Sequence, residues 1–198
     1  MNNPISLTAK AHQIIQEVLG EGDIAVDATI GNGHDTLFLA QIVGNTGKVY
    51  GFDIQQEALD NTYQKLKANN AQKQVAMFHA GHETMPILLP DSYNGKIRAI
   101  MFNLGYLPGG DKNRTTGIST TLAALEASFM LLTTGGRITI LAYTGHPGGQ
   151  EETEAVKEWV RGLPAGSYRA ALGIQTARPP SGNDNITERP ELIVVDKM

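Results

Sequence analysis

The chain has 198 residues, a formal net charge of −4 and no cysteine. This length suits one domain with a real core, here read as residues 1–198, and the lack of cysteine excludes disulfide frameworks, thiolate metal sites and a cysteine nucleophile. The acidic balance excludes a broad basic coat for long nucleic acid, no apolar run nears the roughly 18 residues that span a bilayer, and "MNNPISLTAKAHQ" lacks a signal-peptide pattern, so a cytoplasmic location is expected.

The elements alternate along the chain. "SLTAKAHQIIQEVLG" carries Leu7, Ala11, Ile14, Ile15 and Val18 at helical spacing and stops at Gly20. "DIAVDAT" is a short buried strand, "HDTLFLAQIV" a helix ending near Gly44, and "KVYGFDI" a second strand. "QQEALDNTYQKLKANN" is an amphipathic helix with Ala58, Leu59, Tyr63 and Leu66 on one side. "QVAMFHA" is a third strand, "TMPILL" a short helical piece, and "IRAIMFNL" a fourth strand apolar enough to be central. "STTLAALEASFMLL" is a helix with Ser119 or a nearby Thr as its cap, stopped at Gly135-Gly136. "RITILAY" is a fifth strand, and "QEETEAVKEWVRGL" a helix whose acidic first turn suits the helix dipole. "YRAALGIQT" and "ELIVVDK" close the chain as strands joined by turn chemistry, so they pair antiparallel at one edge. The sum is an α/β, doubly wound, Rossmann-like sheet, mostly parallel with an antiparallel edge strand. In such sheets ligands bind beyond the carboxyl ends of the strands, so the residues just after each strand are the candidates.

After the first strand comes "VDATIGNGHDT". Gly31 and Gly33 permit a tight turn and close backbone approach, and the next helix offers unpaired N–H groups. Asp53, about twenty residues on, ends the second strand where an acid can bind the hydroxyls of an adenosine ribose. A dinucleotide fingerprint wants a third glycine, and Thr36 stands there instead. Asp27, inside the strand, would repel a pyrophosphate but would suit an amino-acid ammonium. Asp27-x-x-x-Gly31-x-Gly33 resembles the glycine-rich motif of class I S-adenosylmethionine (SAM) methyltransferases, with Thr29 where that class has a glycine.

The third strand ends in "HAGHET". His82 and Glu83 are candidates for adenine contact, against ordinary core or surface roles. No ligand set for a metal is visible, so none is expected. The fourth strand ends in "FNLGYLPGGDK". The amide of Asn103 can accept a hydrogen bond from an amine and orient its lone pair, and Tyr106 can stack on a flat base; Leu104 and Gly105 lie between them. "AYTGHPGG" brings Tyr143 and His146 to the same sheet end. His146 is either a proton acceptor or a loop histidine. Lys112, Arg114 and Arg178 lie in loops that reach this end, as phosphate contacts or as solvated surface.

In order, "DATIGNGHDT", "GFDIQ", "HAGHE", "FNLGYLPGGDK" and "YTGHPGG" resemble the small bacterial class I methyltransferases described as rRNA methylases. That resemblance implies a tRNA enzyme that methylates the aminomethyl group of wobble 5-aminomethyl-2-thiouridine, meeting the anticodon loop and acting as a homodimer. It also implies that Asp27, Thr29, Gly31, Asn32, Gly33, His34, Asp35, Thr36, Asp53, Gln55, His82 and Glu83 line the SAM site. Asn103, Leu104, Gly105, Tyr106, Tyr143 and His146 would line the substrate side. The lack of cysteine agrees, because carbon methylation of pyrimidines commonly begins with a cysteine adding to the ring. Methylation of rRNA or of a small amine is the alternative within the class, and an adenosine-binding module or nicotinamide oxidoreductase the alternative outside it.

Overall fold

The computed structural model describes residues 5–107, 109, 114–174 and 190–198. The strands are β1 (Ile24–Asp27), β2 (Lys48–Asp53), β3 (Val75–His79), β4 (Ile97–Leu104), β5 (Leu132–Ala142), β6 (Tyr168–Ile174) and β7 (Glu191–Lys197). The helices are α1 (Leu7–Gln16), α2 (His34–Val43), α3 (Gln56–Ala68), α4 (Met85–Leu88), α5 (Ile118–Leu131) and α6 (Gly149–Arg161). The strands form one sheet in the order β3-β2-β1-β4-β5-β7-β6. β1 to β5 are parallel, and β7 pairs antiparallel with both β5 and β6. The doubly wound sheet with an antiparallel edge is therefore the observed fold, and β4 is its central strand.

Side-chain alternation builds a core on each face. Val26, Ile100, Phe102, Ile193 and Val195 turn toward α5 and α6. Their neighbours Ala25, Ala99, Met101, Leu192 and Val194 turn toward α1, α2 and α3. Strands covered on both faces read as continuous apolar runs, which is why "IRAIMFNL" and "ELIVVDK" were legible. The order of winding reverses between β1 and β4. The crevice beyond their carboxyl ends is the topological switch point where such sheets take ligands.

Three local expectations need correction. Tyr63 is 48% exposed, because the buried stripe of α3 runs through Ala58, Leu59, Thr62 and Leu66. Thr62 is central because the Gly33 backbone packs on it: a Cβ on Gly33 would lie 2.3 Å from the Thr62 hydroxyl. α5 is capped by Gly117 in an extended conformation, not by Ser119, and Thr120 Oγ1 donates to Gly117 O at 2.9 Å. β5 begins at Leu132 rather than Arg137. Ile97 pairs with Leu132 and Ala99 with Arg137, so β5 bulges between these pairs, and Gly135 at φ 75° permits the detour.

Candidate active site

A cavity of about 940 Å³ opens beyond the ends of β1, β2, β4 and β5. It is at the upper end of small-ligand sites, roughly 300–1,000 Å³. Thr29, Gly31, Asn32, His34 and Asp35 line it from the β1–α2 turn, and Asp53, Gln55, His82 and Glu83 from the ends of β2 and β3. Asn103, Gly105, Tyr106, Arg114, Tyr143 and His146 line its wall from the β4 and β5 side. The structure thus brings most of the sequence candidates to one place.

Four candidates do not reach that wall. Leu104 is buried in the core at 1% exposure. Gly33, in the left-handed conformation at φ 71°, serves the packing of α2 on α3 described above. Asp27 and Thr36 are both fully buried and hold each other, Thr36 Oγ1 donating to Asp27 Oδ2 at 2.6 Å. The Asp27 side chain therefore does not face the cavity as a direct ammonium contact; it braces the turn, also accepting from Thr29 N at 3.2 Å. Burial first, and then the charge of Asp35, raise its pKa from 3.8 to about 7. Lys112 and Arg178 lie outside the described residues.

Thr29, which departs from the glycine of the class motif, has a visible purpose. Its hydroxyl accepts the backbone N–H of Asn103 at 2.7 Å and ties the end of β1 to the end of β4. Gly31 takes φ 51°, a conformation that favours glycine. Its N–H donates to Asp53 Oδ2 at 2.9 Å, while Gln55 N donates to Asp53 Oδ1 at 2.9 Å. Asp53 is thereby fixed facing the cavity. Lys65 on α3 donates to Asn32 O at 2.6 Å and holds the turn from below.

At the end of β3, a Cβ on Gly81 would lie 2.3 Å from the Glu83 carboxylate, so this glycine makes room for the acid. His82 Nδ1 lies 3.3 Å from Ala28 O, and Nε2 is buried without a hydrogen-bond partner. Burial lowers the His82 pKa, which favours the neutral ring.

The decisive geometry is at Asn103. Its Nδ2 donates to Asp35 Oδ2 at 2.7 Å. A carboxylate only accepts, so the amide must turn its NH₂ to Asp35, and its carbonyl oxygen is the end left for another partner. Asp35 Oδ1 takes a second contact from His12 Nε2 at 2.6 Å. Gly105 N donates to Thr116 Oγ1, Thr116 donates to Glu152 Oε2 at 2.7 Å, and Thr121 donates to Glu152 Oε1 at 2.6 Å. Glu152 is 2% exposed. The acid expected merely to suit a helix dipole instead anchors the loop after β4.

Tyr106 forms an antiparallel bridge with Thr115, and its ring meets His146 edge-on at 6.1 Å. His146 Nδ1 lies 3.1 Å from Pro147 O, which can only accept, so in the neutral ring that nitrogen carries the proton and Nε2 the lone pair. Nε2 is enclosed without a partner, and a Cβ on Gly149 would lie 2.7 Å from it. Burial raises the Tyr143 pKa, so the phenol stays neutral. Arg114 donates to Ile54 O at 2.9 Å, bridging the loops after β4 and β2 across the cavity.

Sequence reasoning missed Thr8, His12, Thr116 and Glu152. Thr8, His12 and Glu152 lie on helices and Thr116 comes 12 residues past the end of β4, so a rule based on strand ends does not reach them. For Glu152, an acid among the residues of α6 that turn inward, beside Thr153 and Val156, is the available signal. Among the described residues, no group of three His, Asp or Glu side chains converges as a metal site would.

A glycine turn at the switch point, an acid ending β2 and an antiparallel β7 beside β5 define the class I methyltransferase fold. The comparisons agree. Residues 49–182 match the family described as "Putative rRNA methylase". The chain belongs to that family, within the SAM-dependent methyltransferase class. An Arabidopsis thaliana protein named "tRNA (mnm(5)s(2)U34)-methyltransferase, chloroplastic" is 40% identical over 169 residues, 81% of this chain and 61% of its own length. The chain thus spans less than two thirds of that plant relative. A Clostridium thermocellum structure carrying the family's own description superposes with TM-score 0.87 at 37% identity, covering 100% of both chains. A Streptococcus mutans protein of the methyltransferase class, solved in complex with SAH, has TM-score 0.81 at 35% identity, covering 100% of this chain and 99% of its own.

Proposed function

We propose that the chain methylates the primary amine of 5-aminomethyl-2-thiouridine at the wobble position of tRNA, using SAM, to give the 5-methylaminomethyl form. The observation that carries this reading is the Asn103 amide, held by Asp35 so that its carbonyl oxygen is the end offered to an acceptor. The name of the plant relative supports the choice of tRNA.

The residues present fit SAM. The Asp53 carboxylate, fixed by Gly31 N and Gln55 N, suits ribose hydroxyls, and the unpartnered His82 Nε2, with Glu83, suits the edge of a base. Asp35, with Asp27 behind it, suits a cationic end. When bound, SAM supplies a methyl group already activated on a sulfonium. The protein's task is then positioning, which can lower a barrier by roughly 7–11 kcal/mol at the upper end. Asn103 Oδ1 accepts one N–H of the amine and directs its lone pair. Tyr106 offers an aromatic face to the uracil ring. His146, on the cavity wall beside Tyr106, is assigned the proton the amine gives up; its Nε2 is enclosed against Gly149 and must swing clear of it to accept. Lys112, Arg114 and Arg178 are assigned to phosphates of the anticodon loop. A homodimer in the cytoplasm completes the proposal; no helix among the described residues is long and apolar enough to cross a membrane.

The description of the family favours one second reading, an amine acceptor on rRNA. Incubation of the purified protein with labelled SAM and, separately, aminomethyl-bearing tRNA, rRNA and free nucleoside separates the two. Label in the tRNA, recovered as the methylaminomethyl nucleoside, is expected. SAM binding without transfer to that tRNA would overturn the proposal.

A further inference from the structure

We propose that His12 is a positioning residue for the transfer: acting through Asp35, it fixes which end of the Asn103 amide faces the methyl acceptor. The inference rests on the amine reading above. Asp35 is 5% exposed and sits in the first turn of α2, where an acid is favoured by the helix dipole. Both its oxygens are engaged, one by His12 Nε2 at 2.6 Å and the other by Asn103 Nδ2 at 2.7 Å. His12 comes from α1, far from any strand end. Its ring is stacked on Phe38, one turn along α2 from Asp35, with centroids 3.7 Å apart and planes 3° from parallel. α1 is itself clamped to the sheet, since Arg137 donates to Ile14 O and to Glu17, each at 2.7 Å, while pairing with Asp196. Thr8, one turn before His12 on α1, lines the same cavity. The imidazole is thus held in plane and at depth by three elements.

Without His12, Asp35 Oδ1 loses its donor in a nearly buried place. Nothing then fixes the plane of that carboxylate, and the Asn103 amide, no longer held at its Nδ2, can rotate and offer NH₂ to the amine, the wrong partner for a nucleophile's N–H.

Two readouts test this. In protein labelled with ¹⁵N-asparagine, the Asn103 side-chain amide is identified by its loss in Asn103→Ala. One of its protons should be shifted downfield by the carboxylate and exchange slowly. His12→Ala should abolish that shift and speed exchange about tenfold or more, and His12→Gln, whose Nε2–H hangs at the same bond distance from the backbone, should restore both. With aminomethyl-bearing tRNA, His12→Ala should lower kcat by roughly ten- to a hundredfold and change the affinity for SAM less than about threefold, with most of kcat regained in His12→Gln. Should His12→Ala fail to fold, His12→Leu, which keeps the packing on Phe38, carries the same readouts. An unchanged Asn103 signal, or equal losses of kcat and SAM affinity, would overturn the assignment. Inactivity of the wild type on that tRNA would instead overturn the tRNA reading of the site, and the Asn103 signal would still decide the role of His12.

Discussion

Replacing Asp27 by Asn removes a buried charge and keeps the shape of the side chain. The folded protein holds this carboxyl at a pKa of about 7, against an ordinary 3.8, chiefly because it is fully buried and secondly because Asp35 is near. A carboxyl whose folded pKa is raised contributes stability that is fully present below the unfolded value. That contribution is lost as the pH rises through the folded value. The window is therefore about pH 4 to pH 7. At about 1.4 kcal/mol per unit, the loss above pH 7 is at most about 4 kcal/mol. Asn escapes it but makes one poor contact. Its oxygen can accept from Thr36 Oγ1, now at 2.6 Å, which leaves its NH₂ facing the N–H of Thr29, now at 3.2 Å. That mismatch costs about 1–2 kcal/mol. Asp27→Asn should thus be about 2–3 kcal/mol more stable than wild type at pH 8 and equal or slightly less stable at pH 5. Urea unfolding at the two pH values measures the difference. If the variant and the wild type differ by the same amount at both, the electrostatic account of Asp27 is wrong.

The remaining predictions concern the cavity. Asp53→Ala should weaken SAM binding by about 1.5–3 kcal/mol, the worth of a charge-assisted contact, with the fold intact by circular dichroism; unchanged affinity would remove its ribose role. Asn103→Ala should cut kcat by an order of magnitude or more while the SAM dissociation constant stays within about threefold, as single-turnover kinetics and calorimetry would show. Glu152→Ala strips the acceptor from Thr116 and Thr121 and should destabilise the protein by about 2–4 kcal/mol, read from thermal unfolding. SAM binding should tighten as the pH rises toward 7 and release protons, because a cationic ligand prefers the ionised Asp27; equal calorimetric heats in buffers of different ionisation enthalpy would contradict this.

What could be read from the sequence follows from which signals are local. Strands covered on both faces leave apolar runs, so β4 and β7 were read to within a residue or two. Helix α2 was read with its bounds because Gly33 and Gly44 punctuate both ends. The start of β5 was missed because a bulge at Gly135 looks, in sequence, like the stop of the preceding helix. The site divides along the same line. Residues at strand ends obey a topological rule, and Asp53, Asn103 and His146 were found by it. His12, Thr116 and Glu152 reach the site through side chains from helices and a loop, across sequence separations of 23 for His12–Asp35 and 36 for Thr116–Glu152. No periodicity or spacing encodes such contacts. Asp27 shows the opposite error: its position in the motif was legible, but the direction of its side chain depends on Thr36, a full nine residues on.

The charge of the crevice separates the readings that the sequence left open. Asp27 is raised by both Asp35 and Asp53, so three acids crowd one end of the sheet before anything binds. Asp35 and Asp53 face the cavity, and Arg114, the described basic residue lining it, already spends a donor on Ile54 O. A pyrophosphate brought to the β1–α2 turn would add negative charge where carboxylates already repel. An ammonium and a sulfonium would relieve that repulsion and restore the ordinary ionisation of Asp27. The mutual repulsion of these carboxylates therefore selects against a nicotinamide dinucleotide and for a cationic cofactor. In the proposed reaction the same acids give a reason for a neutral amide, Asn103, rather than another acid, beside the acceptor amine. A further carboxylate there would stabilise the protonated amine and remove the lone pair that the reaction needs.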